Sequence, residues 1–168
     1  MSLFRKQRAN PSVVASYQHQ TGGKPRAMGW GSGPRVELLA FADHFAVRFA
    51  DQPWQPIAWH QVRSGGWRSE GEIHWRLVDG SRDSYQLQDE GNFPEVFRER
   101  VQASIALEDT IELETGGAIQ ITARRDLGRD EPTLVWNTTA LRGASLQDPA
   151  TRELAELREA QLRADYDF

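Results

Sequence analysis

Apolar and polar residues alternate over short stretches from position 36 to about position 90, a pattern that is typical of β-strands. Phe41 and Phe45 flank a link of three residues, so we expect a hairpin that places these two rings opposite each other. The same register would place Leu39 opposite Val47. A third strand is expected to start near Gln55, to run through Ile57 and Trp59, and to contain Gly65 and Gly66.

The next hairpin allows its register to be chosen from the pattern. Ile73 and Trp75 share one face of a strand, and Tyr85 and Leu87 share one face of the following strand. A two-residue turn would put every one of these apolar residues opposite a polar residue, because a shift of one residue reverses the faces. A three-residue link at 79–81 instead places Trp75 opposite Tyr85 and Ile73 opposite Leu87, and we predict that register.

Two histidines in the stretch HQVRSGGWRSEGEIHW, residues 60–75, raise the question of a metal site. His74 neighbours Trp75 and therefore lies on the outer face of its strand. Gly65 and Gly66 suggest a bulge or bend, and a turn at 69–71 would separate His60 from His74 in register. Since a metal needs three or four converging ligands, we expect no metal here.

A helix should follow the fifth strand. Asn92 and Glu95 form the pattern of a capping box, with Pro94 in the first turn, and the helix should end near Leu107. Its apolar stripe is expected to contain Phe93, Val96, Phe97, Val101, Ser104 and Ile105.

The remaining chain predicts three more strands and a second helix. A hairpin of strands 110–113 and 119–123 would place Ile111 opposite Ile121, and a further strand runs over 134–137. Asp148 is expected to cap the second helix. Its narrow apolar stripe, which we expect to pack on the protein surface, consists of Ala150, Leu154, Leu157 and Ala164.

The chain from residue 36 to residue 168 resembles a single pleckstrin-homology-like domain. The resemblance lies in the segments FADHFAVRF, IAWHQVRSGGW, EIHWRLVDG, SYQLQD and FPEVFRERVQASI. It implies a mainly β, α+β fold: a bent antiparallel sheet or barrel with two packed helices. A helix after five strands departs from that family's order of seven strands followed by a helix.

Over residues 36–165 the chain also resembles a family of uncharacterised proteins of high-GC Gram-positive bacteria. The segments that carry this likeness are FPEVFRERVQASI, AIQITARRDLGRDEPTLVW and DPATRELAELREA. That family has no known activity, so the resemblance assigns no functional residues.

Charge divides the chain into a basic arm, residues 1–35, and a single acidic domain, residues 36–168. Residues 1–36 carry six basic residues and no acidic residue, whereas the rest carries fourteen basic and all twenty-four acidic residues. The arm shows no strand or helix periodicity. It could be mobile, contact an acidic surface, or return to its own acidic body. We predict that it packs on the body through its apolar residues, which are Phe4, Val13, Val14, Tyr17 and Trp30.

Composition excludes several kinds of chemistry. The chain contains no cysteine, so disulfides, thiolate metal sites and cysteine nucleophiles are excluded. The sequence has no phosphate-binding glycine loop followed by a helix, and no nucleophile motif, so we expect neither cofactor nor catalysis. It also lacks a membrane-spanning apolar segment and a signal peptide, and we expect a cytoplasmic location.

Several side chains are candidates for partner contacts. Trp54 lies in a proline-flanked loop, where it would be either an exposed contact or a ring that covers a sheet edge. Arg124 and Arg125 end a strand, so one should point inward and the other outward. Their expected role is ion pairing with the charged loop 126–131, and the alternative is recognition of a carboxylate or phosphate.

These observations favour a non-enzymatic binding or scaffold module whose partner is another protein or a second copy. One alternative is a small-molecule pocket or an enzyme site inside the curved sheet, lined by Trp67, Trp75, Tyr85 and Trp136. A second alternative is attachment to nucleic acid or an anionic membrane through the basic arm, which contains Arg5, Lys6 and Arg8.

Overall fold

The computed structural model describes residues 8–68, 71–131 and 133–166, and it divides the chain into two compact units, Met1–Ser104 and Ile105–Phe168. In the first unit the described helices are α1 (Pro11–Thr21) and α2 (Phe93–Ser104). Its strands are β1 (Gly29–Ser32), β2 (Val36–Ala40), β3 (His44–Phe49), β4 (Gln55–Ala58), β5 (Val62–Arg68), β6 (Glu72–Leu77) and β7 (Arg82–Gln86). A 3₁₀ turn, Trp59–Gln61, separates β4 from β5.

The second unit follows α2 without a loop. Its elements are β8 (Ile105–Glu112), β9 (Ala118–Arg125), β10 (Leu134–Leu141) and α3 (Pro149–Asp165). The fold is therefore mainly β, of the α+β class, as predicted.

The strands of the first unit form two antiparallel sheets and not one closed barrel. The first sheet has the order β1-β2-β3-β4 and the second has the order β5-β6-β7. A single isolated bridge between Ser32 and Asp89 links β1 to the segment after β7 within the described residues. The prediction of a single bent sheet or barrel was therefore wrong on this point, because these strands form two separate sheets.

The predicted third strand is in fact two strands that belong to different sheets. β4 ends at Ala58, the 3₁₀ turn reverses the chain, and β5 then pairs with β6. The bulge lies between Val62 and Ser64 and not at Gly65–Gly66. Gly65 has a different role: a Cβ there would lie 2.7 Å from Cζ of Phe97, so a side chain at this position would force the Phe97 ring on α2 to shift.

The first hairpin has a register that differs by one residue from the prediction. Ala40 lies opposite Phe45, and the amide of Phe41 donates to the carbonyl of His44. A shift of one residue moves side chains to the other face, so Phe41 and Phe45 lie on opposite faces. Both are buried, because each face of this hairpin is covered by other parts of the unit.

Two other hairpins differ from the prediction by two residues, which keeps the faces correct. Trp75 lies opposite Asp83, and Tyr85 lies opposite Ile73. In the second unit Ile111 lies opposite Ile119 and not Ile121. A shift of two residues changes the cross-strand partners but leaves the same residues facing inward.

Aromatic rings fill the core of the first unit between its two sheets and α2. The ring of Phe45 lies 5.0 Å from those of Trp59 and Trp75, and 5.7–5.9 Å from those of Phe93 and Phe97. Four of these five residues are less than 2% exposed, so the inward assignment of Trp75 is confirmed.

Part of the arm is regular structure, which its sequence pattern did not predict. Asn10 caps α1 by accepting a bond from the amide of Ser12, and β1 pairs with β2 along its whole length. Asn92 was predicted to cap α2, but its side-chain amide instead bonds to the backbone of Met28 and Trp30, next to and within β1. The helix that follows ends at Ser104, earlier than predicted.

In the second unit α3 packs on one face of the sheet β10-β9-β8. Asp148 caps the helix as predicted, accepting bonds from the amide and hydroxyl of Thr151. The buried side of the helix is formed by Thr151, Ala155 and Leu162, and not by the predicted stripe.

Candidate interaction surface

The arm docks on the first sheet through its apolar residues, as expected. Tyr17 is 3% exposed and belongs to the same buried cluster as Leu39, Phe41 and Trp54. Val13, Val14 and Trp30 pack against this cluster, whereas Phe4 lies outside the described residues. The docked helix therefore covers the second face of the hairpin.

Trp54 is part of this docking contact and is not an exposed partner residue. Its side chain is buried, and its indole N–H donates to the hydroxyl of Ser16 at 3.0 Å. Its backbone amide donates to the side chain of Gln20 at 2.7 Å. The guanidinium of Arg48 lies 4.8 Å from the ring. The ring is thus folded back into the buried cluster beneath α1 and is not exposed to solvent.

A buried hydroxyl, an imidazole and a carboxylate lie in line where α1 meets the first hairpin. The Tyr17 hydroxyl is 2.6 Å from Nε2 of His44, and Nδ1 of His44 is 2.7 Å from a carboxylate oxygen of Asp43. Burial, with a further contribution from the negative charge of Asp43, raises the pKa of Tyr17. Because the phenol is buried and bonded to His44, this arrangement fastens α1 to the hairpin. The sequence did not signal it, because Tyr17 and His44 are 27 residues apart.

The two histidines of the opening stretch lie apart in the structure. His60 lies in the 3₁₀ turn, whereas His74 lies opposite Gly66 of β5 and Ser84 of β7, on the face away from Trp75. Within residues 8–68, 71–131 and 133–166, no group of three or more histidine, aspartate or glutamate side chains is placed to hold a metal ion.

The aromatic residues proposed to line a pocket contact other rings or cations. In the first unit Trp75 lies 5.5 Å from Tyr85, and Trp67 lies 6.1 Å from Phe97. In the second unit Trp136 lies under the guanidinium of Arg163, 5.1 Å from it.

Asp83 is a carboxyl on the inward face of its strand, opposite Trp75. Burial raises its pKa. The indole N–H of Trp75 opposes that rise, although it approaches the carboxylate without the geometry of a full hydrogen bond.

The two arginines at the end of β9 point to opposite sides, as predicted. Arg124 is 5% exposed, whereas Arg125 is exposed. Burial lowers the pKa of Arg124, and the negative charge of Glu108 on β8 opposes that effect. In the loop that follows, Asp126 pairs with Arg129 at 3.2 Å. Arg125 is thus the accessible member of the pair.

Only some of the basic residues of the arm lie within the described part of the structure. Arg5 and Lys6 lie outside the described residues, and Arg8 is exposed just before α1. No helix in the described ranges is both long and apolar enough to cross a membrane.

An apolar stripe on α3 is the most distinctive surface of the second unit. Leu154 is 40% exposed and Leu157 is 58% exposed, although the sequence pattern predicted that both pack inward. The helix is held to its own sheet on another side, through the buried residues Ala155 and Leu162 and through polar contacts. Arg158 bonds to Asp109 at 2.8 Å and Thr138 bonds to Glu159 at 2.9 Å.

We call this surface the α3 stripe. Its members are Ala150, Leu154, Leu157, Gln161 and Ala164, and all five are exposed. Residues with this spacing follow one line along a helix.

Comparison with known proteins does not assign this chain to a family. No family model, no curated protein and no solved structure matches the chain.

Proposed function

We propose that this chain is a non-enzymatic protein-binding module of pleckstrin-homology-like fold, and that the α3 stripe is its contact surface. The observation that carries the proposal is the exposure of Leu154 and Leu157 on a helix whose own packing uses a different side. Exposed leucines arranged in a line are typical of a contact surface, whereas single scattered ones are ordinary.

The order of elements in the first unit supports the fold assignment. Four strands form one sheet, three strands form the next, and α2 follows them. This is the family's order of seven strands and then a helix. The sequence pattern indicates only five strands for two reasons. β1 lies in the arm, where no strand is predicted, and β4 and β5 are predicted as one strand.

Site-specific photo-crosslinking in the native cell tests the proposed function. A photoreactive residue at position 157 is expected to form covalent adducts with protein. The matched control carries the same residue at Arg152, which is exposed and lies about 140° away around the helix. The proposal fails when position 157 gives no protein adduct, or gives the same adducts as position 152.

A further inference from the structure

We infer that the α3 stripe binds a second copy of this chain, with the two α3 helices side by side and parallel. This inference rests on the proposed function, since it names the partner of the same surface. A two-fold axis parallel to the helices would relate the copies and bring each stripe against itself.

The spacing of the stripe is that of a coiled-coil seam. Steps of four, three, four and three residues separate its members, and that alternation keeps them at a helix–helix contact over the length of α3. Leu154 and Leu157 occupy its centre, where each would meet its own counterpart. Gln161 would meet Gln161 of the second copy, and a polar pair at such a position favours one register over its alternatives.

Charge complementarity selects the parallel orientation. Glu153 and Arg158 flank the seam on opposite sides and are five residues apart. In a parallel pair the residues in these two positions face each other across the seam, so Glu153 would meet Arg158 of the second copy, twice by symmetry. In an antiparallel pair centred on the two leucines, Glu153 would meet Ala160 and Arg158 would meet Thr151, with no opposite charges.

Arg158 can take part in this contact without leaving its own unit. Its Nε donates to Asp109, and 39% of its side chain is exposed. A guanidinium has five N–H donors, so its terminal nitrogens can reach a second carboxylate.

The size of the seam sets the strength of the expected dimer. α3 has 17 residues, a length of about 25 Å, so the contact lies at the small end of specific interfaces. We therefore expect a reversible dimer that forms as the concentration of the full chain rises from roughly 1 µM towards roughly 1 mM.

Analytical ultracentrifugation of the full-length protein over that range tests the inference. Leu157→Glu should abolish the dimer, and Glu153→Lys should raise the dimer dissociation constant at least about tenfold through repulsion of Arg158 in the second copy. Glu156→Lys makes the same charge change outside the seam flanks and should alter the constant by less than about twofold. The inference is overturned if the wild-type protein stays monomeric throughout, or if its dimer persists with Leu157→Glu.

Orientation has its own test because the chain contains no cysteine. Under mild oxidation, Leu157→Cys should give a disulfide-linked dimer, since a parallel seam places the two copies of position 157 together. A reversible dimer that gives no such linkage would overturn the parallel arrangement. If the photo-adducts at position 157 contain only other proteins, the inference that a second copy is the partner is overturned. The proposed protein-binding function would still stand.

Discussion

At the scale of single residues, Trp75 and its neighbour His74 show how strand position decides the importance of a large side chain. Trp75 is 1% exposed among the rings of Phe45, Tyr85 and Phe97, whereas His74 lies on the other face of β6. Trp75→Ala should lower the free energy of unfolding by about 3–5 kcal/mol. His74→Ala should change it by less than about 0.5 kcal/mol. Urea denaturation measures both, and the reverse ranking would refute the face assignment.

Asp83 should reduce stability at neutral pH, because burial raises its pKa and so disfavours the charged form in the folded state. A raised folded pKa means that the folded protein binds more protons than the unfolded chain between the two pKa values. The penalty is thus absent below the ordinary aspartate pKa of about 3.9 and complete above the raised value. Asp83→Asn should be more stable than wild type at pH 7, and this gain should vanish towards pH 3.

Asp79 supplies a control of opposite sign. A hydrogen bond from the Ser81 hydroxyl, with a second from the Ser81 amide, lowers the pKa of Asp79, so its charged form stabilises the turn. Asp79→Asn should therefore bring no gain in stability at pH 7. Equal effects of the two substitutions in denaturation at pH 7 would show that burial of Asp83 is not the cause.

At the scale of elements, periodicity predicted the inward faces better than it predicted the pairing. The hairpin around Asp79 kept its faces, because it differed from the prediction by two residues. The hairpin at Phe41 and Phe45 differed by one residue, because both of its faces are buried and alternation then gives no guide to register.

The helix α1 explains that second buried face, and its sequence gave little sign of it. It is short, contains β-branched and polar residues, and packs through a single large ring, that of Tyr17. Nothing in a sequence pattern indicates which distant surface such a helix covers, since the contacts with His44 and Trp54 depend on the folded chain.

Two substitutions of Tyr17 distinguish the contribution of its ring to stability from that of its hydroxyl. Tyr17→Ala removes a buried ring and should cost about 3–5 kcal/mol of unfolding free energy. Tyr17→Phe removes only the bond to His44 and should cost about 0.5–1.5 kcal/mol. Thermal and urea denaturation of both variants checks this order. A negligible loss with Tyr17→Ala would mean that α1 does not dock in solution.

At the scale of the whole molecule, the chain is divided at Ser104 and not at the end of the basic arm. The arm contributes β1 to the first sheet, and α2 leads directly into β8. The change in charge near position 35 therefore does not coincide with the division between the two units.

The α3 stripe was the clearest conflict between sequence and structure. The apolar spacing predicted that Leu154 and Leu157 belong to the packing stripe of a helix on the protein surface, yet Ala155 and Leu162 are the residues buried against the sheet. Periodicity locates an apolar stripe but does not show what the stripe contacts. A stripe that binds another chain therefore has the same pattern as one that packs within its own chain.

The most direct test compares the unfolding free energy of two variants with wild type at dilute concentration, where α3 has no partner. The double variant Leu154→Ser with Leu157→Ser should lose less than about 1 kcal/mol relative to wild type, because Leu154 is 40% exposed and Leu157 is 58% exposed. Leu162→Ala should lose about 2–5 kcal/mol, because that side chain is buried against the sheet. A large loss in the double variant with little change in Leu162→Ala would contradict the account, since it would place the stripe inside the protein.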